Sequence, residues 1–190
     1  MRVVLGVGGG IAAYKAAELA RTLQQRGHQI QVVMTRSAEE FVRPLTFAAL
    51  TGRKVITGLF SQASADETLS SAVEHIAVAN DNDLLLAAPA TADIIAKFAH
   101  GLADDFLSTL YLAFTGRVVI APAMNTAMWE KAAVQRNITQ LRSDGVQFVE
   151  PTSGWLSCRQ IGAGRMAEPE TILAAIRDLL AGMTNGNNAK

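Results

Sequence analysis

The chain reads as a single α/β domain, built on a parallel sheet with helices on both faces. Three observations carry that expectation. Apolar, β-branched runs recur along the chain, stretches of helical period separate them, and glycine or proline stands at the junctions. Strands separated by helices need crossover connections, which are right-handed in nearly every sheet. A length of 190 residues suits one domain that buries about 70% of its unfolded surface. Hydrophobic residues at 49% and a mean hydropathy of +0.20 suit a sheet covered on both sides.

Taken in order, Arg2–Val7 is the first strand, and Ile11–Arg26 is a helix ended by Gly27. Gln29–Met34 is the second strand, followed by a helix over Ala38–Ala49 with Gly52 beyond it. Residues Ser61–Ser71 are small and polar, which predicts a loop or an unanchored helix. Leu84–Ala88 is wholly apolar, as a strand buried on both faces must be, and Asp93–Leu102 follows as a helix. Thr109–Ala113 extends that helical region, Val118–Ala121 is a strand, Met128–Ser143 is helical, and Val146–Val149 closes the sheet. The end, Thr184–Lys190, is polar with no core to join. The expected division is therefore a domain over 1–181 and a polar tail or linker start over 182–190.

Composition excludes several classes of function. Lys+Arg and Asp+Glu are equal at 17 each, so no electrostatic footprint points to nucleic acid or an anionic membrane. No apolar run approaches the ~20 residues of a membrane span. Met1-Arg2 runs straight into the first strand, without a signal peptide. The single cysteine, Cys158, excludes an internal disulfide and a cysteine-rich metal site. No metal is expected, and a reduced, cytoplasmic setting fits best. Apolar surface left over for an oligomer interface follows from the same composition.

Chemistry concentrates at the strand ends. Gly6-Val-Gly8-Gly-Gly10-Ile-Ala-Ala13 joins the first strand to the first helix, where backbone N–H groups and the helix N-terminus favour an anion. Gly8-x-Gly10-x-x-Ala13 satisfies a loose dinucleotide pattern. The second strand, however, ends Met34-Thr35-Arg36-Ser37, with hydroxyls and a cation where a ribose-binding carboxylate would stand. Those residues suit a mononucleotide phosphate or the extra phosphate of NADP. Ala88-Pro-Ala-Thr-Ala-Asp93 lets a flat ring approach closely, with Thr91 and Asp93 able to bond its edge or cap the helix, a role that Asp93 in particular suits. Pro122-Ala-Met-Asn125 places a planar donor–acceptor amide where ligands of open α/β sheets bind, though an Asn there also serves as a turn former or cap.

His75 reads either as a surface histidine or as an acid or base brought to the pocket by the fold. His28 and His100 read as structural. Cys158 lies in Leu156-Ser-Cys158-Arg-Gln-Ile-Gly162-Ala-Gly164-Arg-Met166, and its composition suits a buried small hydrophobe and a reactive thiol equally.

Together these motifs resemble the phosphopantothenoylcysteine decarboxylases, within the family of homo-oligomeric flavin-containing cysteine decarboxylases. The resemblance rests on Gly8-Gly-Gly-Ile-Ala-Ala-Tyr-Lys15, His75-Ile, Ala88-Pro-Ala-Thr-Ala-Asp93, Pro122-Ala-Met-Asn125 followed by Met128-Trp129, and Cys158 with Gly164-Arg-Met-Ala-Glu-Pro169. It runs to about Ala181 and implies a Rossmann-like flavoprotein domain that binds FMN rather than NADP. By resemblance, Gly9, Gly10, Ile11, Thr35, Ser37, Thr91, Ala92, Asp93, Ile94 and Ala123 hold the flavin. Asn125 and Met124 meet the substrate, His75 is the active-site histidine, and Cys158 is the proton donor. Arg159 and Arg165 are candidates for the substrate phosphate. The family forms trimers, often gathered into dodecamers, and in many bacteria the domain is fused to a phosphopantothenate–cysteine ligase domain.

The implied reaction explains the residue types. A cysteine carboxylate has no electron sink, so the thiol is first oxidised to a thioaldehyde, which accepts the electrons released with carbon dioxide. The flavin supplies the redox chemistry and the protein supplies placement and proton transfer. The resulting enethiol is then reduced to phosphopantetheine. One departure stands out: Arg159-Gln160 follows the cysteine where the family has Gly and a polar residue. Flavin prenyltransferases share the fold, but the Pro122-Ala-Met-Asn125 motif argues against them; two further alternatives are a peptidyl-cysteine decarboxylase, which releases the enethiol, and a non-catalytic flavin-binding regulator. The retained Cys158 favours the first reading over both.

Overall fold

The structure, a computed structural model, describes residues 1–60, 73–155 and 161–186. Five strands form one sheet: β1 (Arg2–Val7), β2 (Gln29–Met34), β3 (Leu84–Ala90), β4 (Arg117–Pro122) and β5 (Gln147–Phe148). All four pairings are parallel, as the sequence led us to expect, and the strand order is β2-β1-β3-β4-β5. The chain steps to one side of β1 to make β2 and to the other side to make β3. The switch point therefore lies between β1 and β3, where the two crossovers part and leave a crevice beyond the carboxyl ends of the strands.

The helices are α1 (Ala13–Gln25), α2 (Arg36–Glu39), α3 (Pro44–Thr51), α4 (Glu74–Asp81), α5 (Ala92–His100), α6 (Phe106–Ala113), α7 (Thr126–Trp129), α8 (Ala132–Ser143) and α9 (Pro169–Gly186). They sort cleanly by face. In β1, Val3, Leu5 and Val7 point into a core shared with α1, α3 and α9, while Val4 points into a second core shared with α4, α5, α6 and α8. Leu84, Leu86 and Ala88 of β3 join the first core, and Leu85, Ala87 and Ala90 the second. Over Val3–Val7 and Leu84–Ala88 this is the period of two that a strand buried on both sides must show, and the register irregularity between Ala87 and Ala90 takes Ala90 off it.

Several boundaries differ from expectation. The helix expected over Ala38–Ala49 is two helices, because Pro44 has no N–H for the preceding turn and instead opens α3. The helix expected over Met128–Ser143 also divides, since Lys131 is extended, with φ −62° and ψ 128°, between α7 and α8. Thr109–Ala113 does not extend the preceding helix; α6 starts afresh at Phe106 behind its own capping box. There the Asp105 carboxylate accepts from Ser108 N at 2.8 Å and the Ser108 hydroxyl accepts from Asp105 N at 3.2 Å. Helix α9 runs on past residue 181 to Gly186. The stretch 61–71 lies outside the described residues.

One element had no counterpart in the sequence reading. After the sheet, β6 (Thr152–Trp155) and β7 (Ile161–Arg165) pair antiparallel as a separate two-stranded ribbon. Two bonds moor β7 to the end of β4, from Met124 N to Gly164 O at 2.9 Å and from the Thr126 hydroxyl to Ala163 O at 2.7 Å. Gly164 has φ +121°, and a Cβ there would overlap the Met124 carbonyl, so the mooring needs glycine.

Asp105 gives a test of this frame. Burial pushes its carboxyl up, but the Lys97 bond and the bonds from Ser108 outweigh that and hold it below its usual value. Asp105→Ala should therefore cost about 1–2 kcal/mol in denaturant unfolding near neutral pH. Because the folded value is depressed, this contribution is complete above the unfolded value near ~3.9 and fades as pH falls through the folded one. The gap between wild type and variant should shrink below pH ~4.

Candidate functional site

A cavity of about 620 Å³ opens at the carboxyl ends of β1, β2, β3 and β4, over the switch point. That size is ordinary for a small-molecule or cofactor site. Its floor is the glycine turn. Gly8 N donates to Pro89 O at 3.0 Å, which draws the turns after β1 and β3 together. A Cβ at Gly8 would meet Pro89 O at 2.6 Å, and one at Gly9 would overlap Ser37. Backbone thus fills space where a side chain would otherwise lie.

Polar groups surround that floor. Helix α1 begins without a side-chain cap and with no acidic residue in its first turn. Thr35 caps α2 through its hydroxyl oxygen at 3.3 Å from Ala38 N, and the exposed Ser37 stands one turn beyond the end of β2. Arg36, from the same turn, adds a guanidinium to the lining. An open helix N-terminus, two hydroxyls and a cation make a donor set for a phosphate. The apolar walls of Ile11, Ala92, Ile94, Ala123 and Met124 suit a flat ring, so the residues present fit a flavin mononucleotide.

The cavity gathers most of the expected residues: Gly9, Gly10, Ile11, Thr35, Ser37, Thr91, Ala92, Asp93, Ile94, Ala123, Met124, Asn125 and Arg165 all line it. Some of them also hold local structure, in roles the sequence left open. Thr91, not Asp93, caps α5, accepting from Ile94 N at 3.3 Å. Asp93 lies in the first turn and reaches Lys97 at 3.5 Å. Asn125 is both a lining residue and the cap of α7, its Oδ1 accepting from Ala127 N at 2.9 Å. The capping reading holds, and the residue stands where the ligand reading needs it.

His75 is not brought to this cavity by its own chain. It sits half-buried in the first turn of α4, beside the exposed Val73 and Ile76. Cys158 and Arg159 lie outside the described residues.

Charged residues that the sequence reading passed over line the same space. Lys15, on α1, is 7% exposed and donates to Glu168 Oε1 at 2.9 Å; Arg165 donates to that oxygen at 2.6 Å. The Lys15 bond chiefly, with the Arg165 charge beside it, holds the Glu168 carboxyl below its usual value. Across the cavity, Lys97 meets Asp104 at 2.8 Å and Asp105 at 2.9 Å. Burial alone would lower the Lys97 value, yet those carboxylates raise it well above the ordinary lysine range. A cation interrupting the apolar faces of two helices was the available signal. Pro89, Met128 and Trp155 also line the cavity, and Trp155 reaches it from β6.

Comparison with known proteins agrees with this site. The Flavoprotein family model matches residues 1–181. The coenzyme A biosynthesis bifunctional protein CoaBC of Bacillus subtilis (strain 168) is 48% identical over 171 residues, covering 90% of this chain and 41% of that protein. Its counterpart in Escherichia coli (strain K12) is 44% identical over 172 residues, covering 90% and 41%. The chain thus spans about two-fifths of the length of these relatives. Among solved structures, the FMN-dependent cysteine decarboxylase SpaF is 33% identical, with a TM-score of 0.74 over 93% of this chain and 97% of that one. A PPC decarboxylase mutant complexed with pantothenoylaminoethenethiol is 28% identical, with a TM-score of 0.80 over 95% and 98%. The fold is therefore shared with these structures, and the chain belongs to the flavoprotein family.

Proposed function

We propose that this chain binds FMN and decarboxylates 4'-phosphopantothenoylcysteine to 4'-phosphopantetheine, a step of coenzyme A biosynthesis. The observation that carries the reading is the meeting of the glycine turn, the Thr35–Ser37 hydroxyls and Asn125 in one cavity at the switch point. The kinship with bifunctional coenzyme A biosynthesis proteins supports it. Those relatives are bifunctional, and the proposal extends to fusion of this domain with a separate phosphopantothenate–cysteine ligase domain.

In this reading Gly9, Gly10, Ile11, Thr35 and Ser37 hold the flavin phosphate, and Thr91–Ile94 with Ala123 hold the ring. When bound, FMN supplies the two-electron oxidation of the substrate thiol and the return of those electrons after carbon dioxide leaves. Asn125 orients the substrate carboxylate through its amide Nδ2, because a carboxylate only accepts and Nδ2 is the donor of that side chain. Met124 packs beside it, and Arg165 and Arg159 take the phosphate of the substrate arm. Cys158 delivers the closing proton to carbon. The first experiment is the absorption spectrum of the purified protein, followed by assay of carbon dioxide and thiol product; a protein without flavin bands overturns the reading.

The chain is also proposed to work as a closed homo-oligomer, a trimer or a dodecamer built from trimers. His75 would then enter the cavity of a neighbouring copy from α4. The exposed Ile76 on α4 and Leu112 on α6, two helices packed together, give that face its apolar surface. A neighbour would also exclude water from the ring.

Four outcomes test these roles. Asn125→Asp should retain FMN and lose at least about 100-fold in carbon dioxide release, because a carboxylate repels the substrate carboxylate. His75→Asn should leave the flavin oxidised on anaerobic mixing with substrate, and bleaching at the wild-type rate would remove the histidine from the oxidative step. Cys158→Ser should release carbon dioxide in the first turnover yet accumulate enethiol, since a serine hydroxyl is a far weaker acid than a thiol. Sedimentation should find the flavin-bound protein as a trimer or a multiple of it, and an active monomer would contradict the assembly.

A further inference from the structure

The two walls of the cavity carry opposite charge. On the α5–α6 side, Lys97 is surrounded by Asp93, Asp104 and Asp105, so that wall is acidic. On the α1–β7 side, Lys15 and Arg165 share one carboxylate oxygen of Glu168, which leaves one positive charge in excess. The placement of Lys15 is costly twice over. It is nine-tenths buried, and it occupies the third position of α1, where the positive pole of the helix opposes a cation. No acidic residue in that turn offsets it. Glu168 reaches in from the start of α9, 153 residues away in sequence, and half of its side chain remains in solvent.

We propose that Lys15 and Arg165 form an anion subsite for a phosphate monoester, with Glu168 Oε1 standing between the two cations as an internal substitute for the ligand's oxygen. The class of ligand rests on the function proposed above, in which both the cofactor and the substrate carry such a group. Two cations converging on one acceptor 2.6 and 2.9 Å away already have the spacing that a phosphate oxygen would need. Incoming phosphate replaces a single charge with nearly two, and Glu168, being half exposed, can turn to water.

Calorimetric titration tests the subsite with two pairs of probes. Flavin-free protein is titrated with FMN and with riboflavin, and FMN-loaded protein with 4'-phosphopantothenate and with pantothenate. Glu168→Gln keeps the shape and removes the competing charge, so the phosphorylated probe should bind about threefold tighter or more. Lys15→Met and Arg165→Met should weaken it about tenfold, and the unphosphorylated partner of each pair should not respond. A response in the flavin pair assigns the subsite to the cofactor phosphate; a response in the second pair assigns it to the substrate. Equal weakening by all three variants, or equal effects on both members of each pair, overturns the proposal. Should Lys15→Met not fold, the two variants at half-exposed side chains carry the test through their opposite signs. Failure of the decarboxylase reading is separate: wild type would release no carbon dioxide, and the flavin pair would still decide the subsite.

Discussion

The hydrogen bond from Gly8 N to Pro89 O, 3.0 Å long, is the constraint on which the rest of the site depends. It joins the turns that leave β1 and β3 at the point where the two crossovers diverge. Everything nearby follows from that close approach. Gly8 and Gly9 cannot carry a Cβ, Ser37 packs directly on Gly9, and Thr91 begins α5 alongside. The crevice that any doubly wound sheet leaves between its crossovers is thereby floored with backbone rather than filled with side chains.

Above that floor, the two helix layers contribute unlike chemistry. The sheet separates them completely, since alternate residues of β1 and β3 feed different cores. One layer presents Lys15 and, through β7, Arg165; the other presents Lys97 within a cluster of carboxylates. Such an arrangement orients a dipolar ligand before any specific contact forms. It also ties the polar cavity to the scaffold, because the same Asp105 carboxylate that holds Lys97 caps α6.

How much of this was legible in the sequence varied with the kind of signal. The sheet was legible because Leu84–Ala88 and Val118–Ala121 are continuous apolar runs, which a two-faced strand needs. The cavity residues were legible as motifs at strand ends. The hairpin was not, because Thr152-Ser-Gly-Trp and Ile161-Gly-Ala-Gly-Arg show no alternation and their glycines read as loop. The break between α2 and α3 was written in Pro44, whose preference for the first turn outweighs an otherwise helical pattern. The distribution of charge was invisible in another way. Lys15 and Glu168 are 153 residues apart, and only the packing of α9 on α1 brings them together.

The outermost strands have a consequence for how copies of this chain meet. At one border, β5 is two residues long, too short to template a further strand. At the other, the free side of β2 is partly taken by Ile56, whose N–H bonds Val32 O at 3.0 Å and whose carbonyl accepts from Met34 N at 2.8 Å. Neither border offers a long ladder of open backbone groups, so edge-to-edge growth of the sheet into filaments is disfavoured. In the proposed assembly, contacts between copies would instead be made by side chains on the helical faces, where Leu45, Ile76 and Leu112 stand exposed. Face contacts of that kind are set by shape and can stop at a fixed number of copies, whereas an open ladder has no natural stopping point.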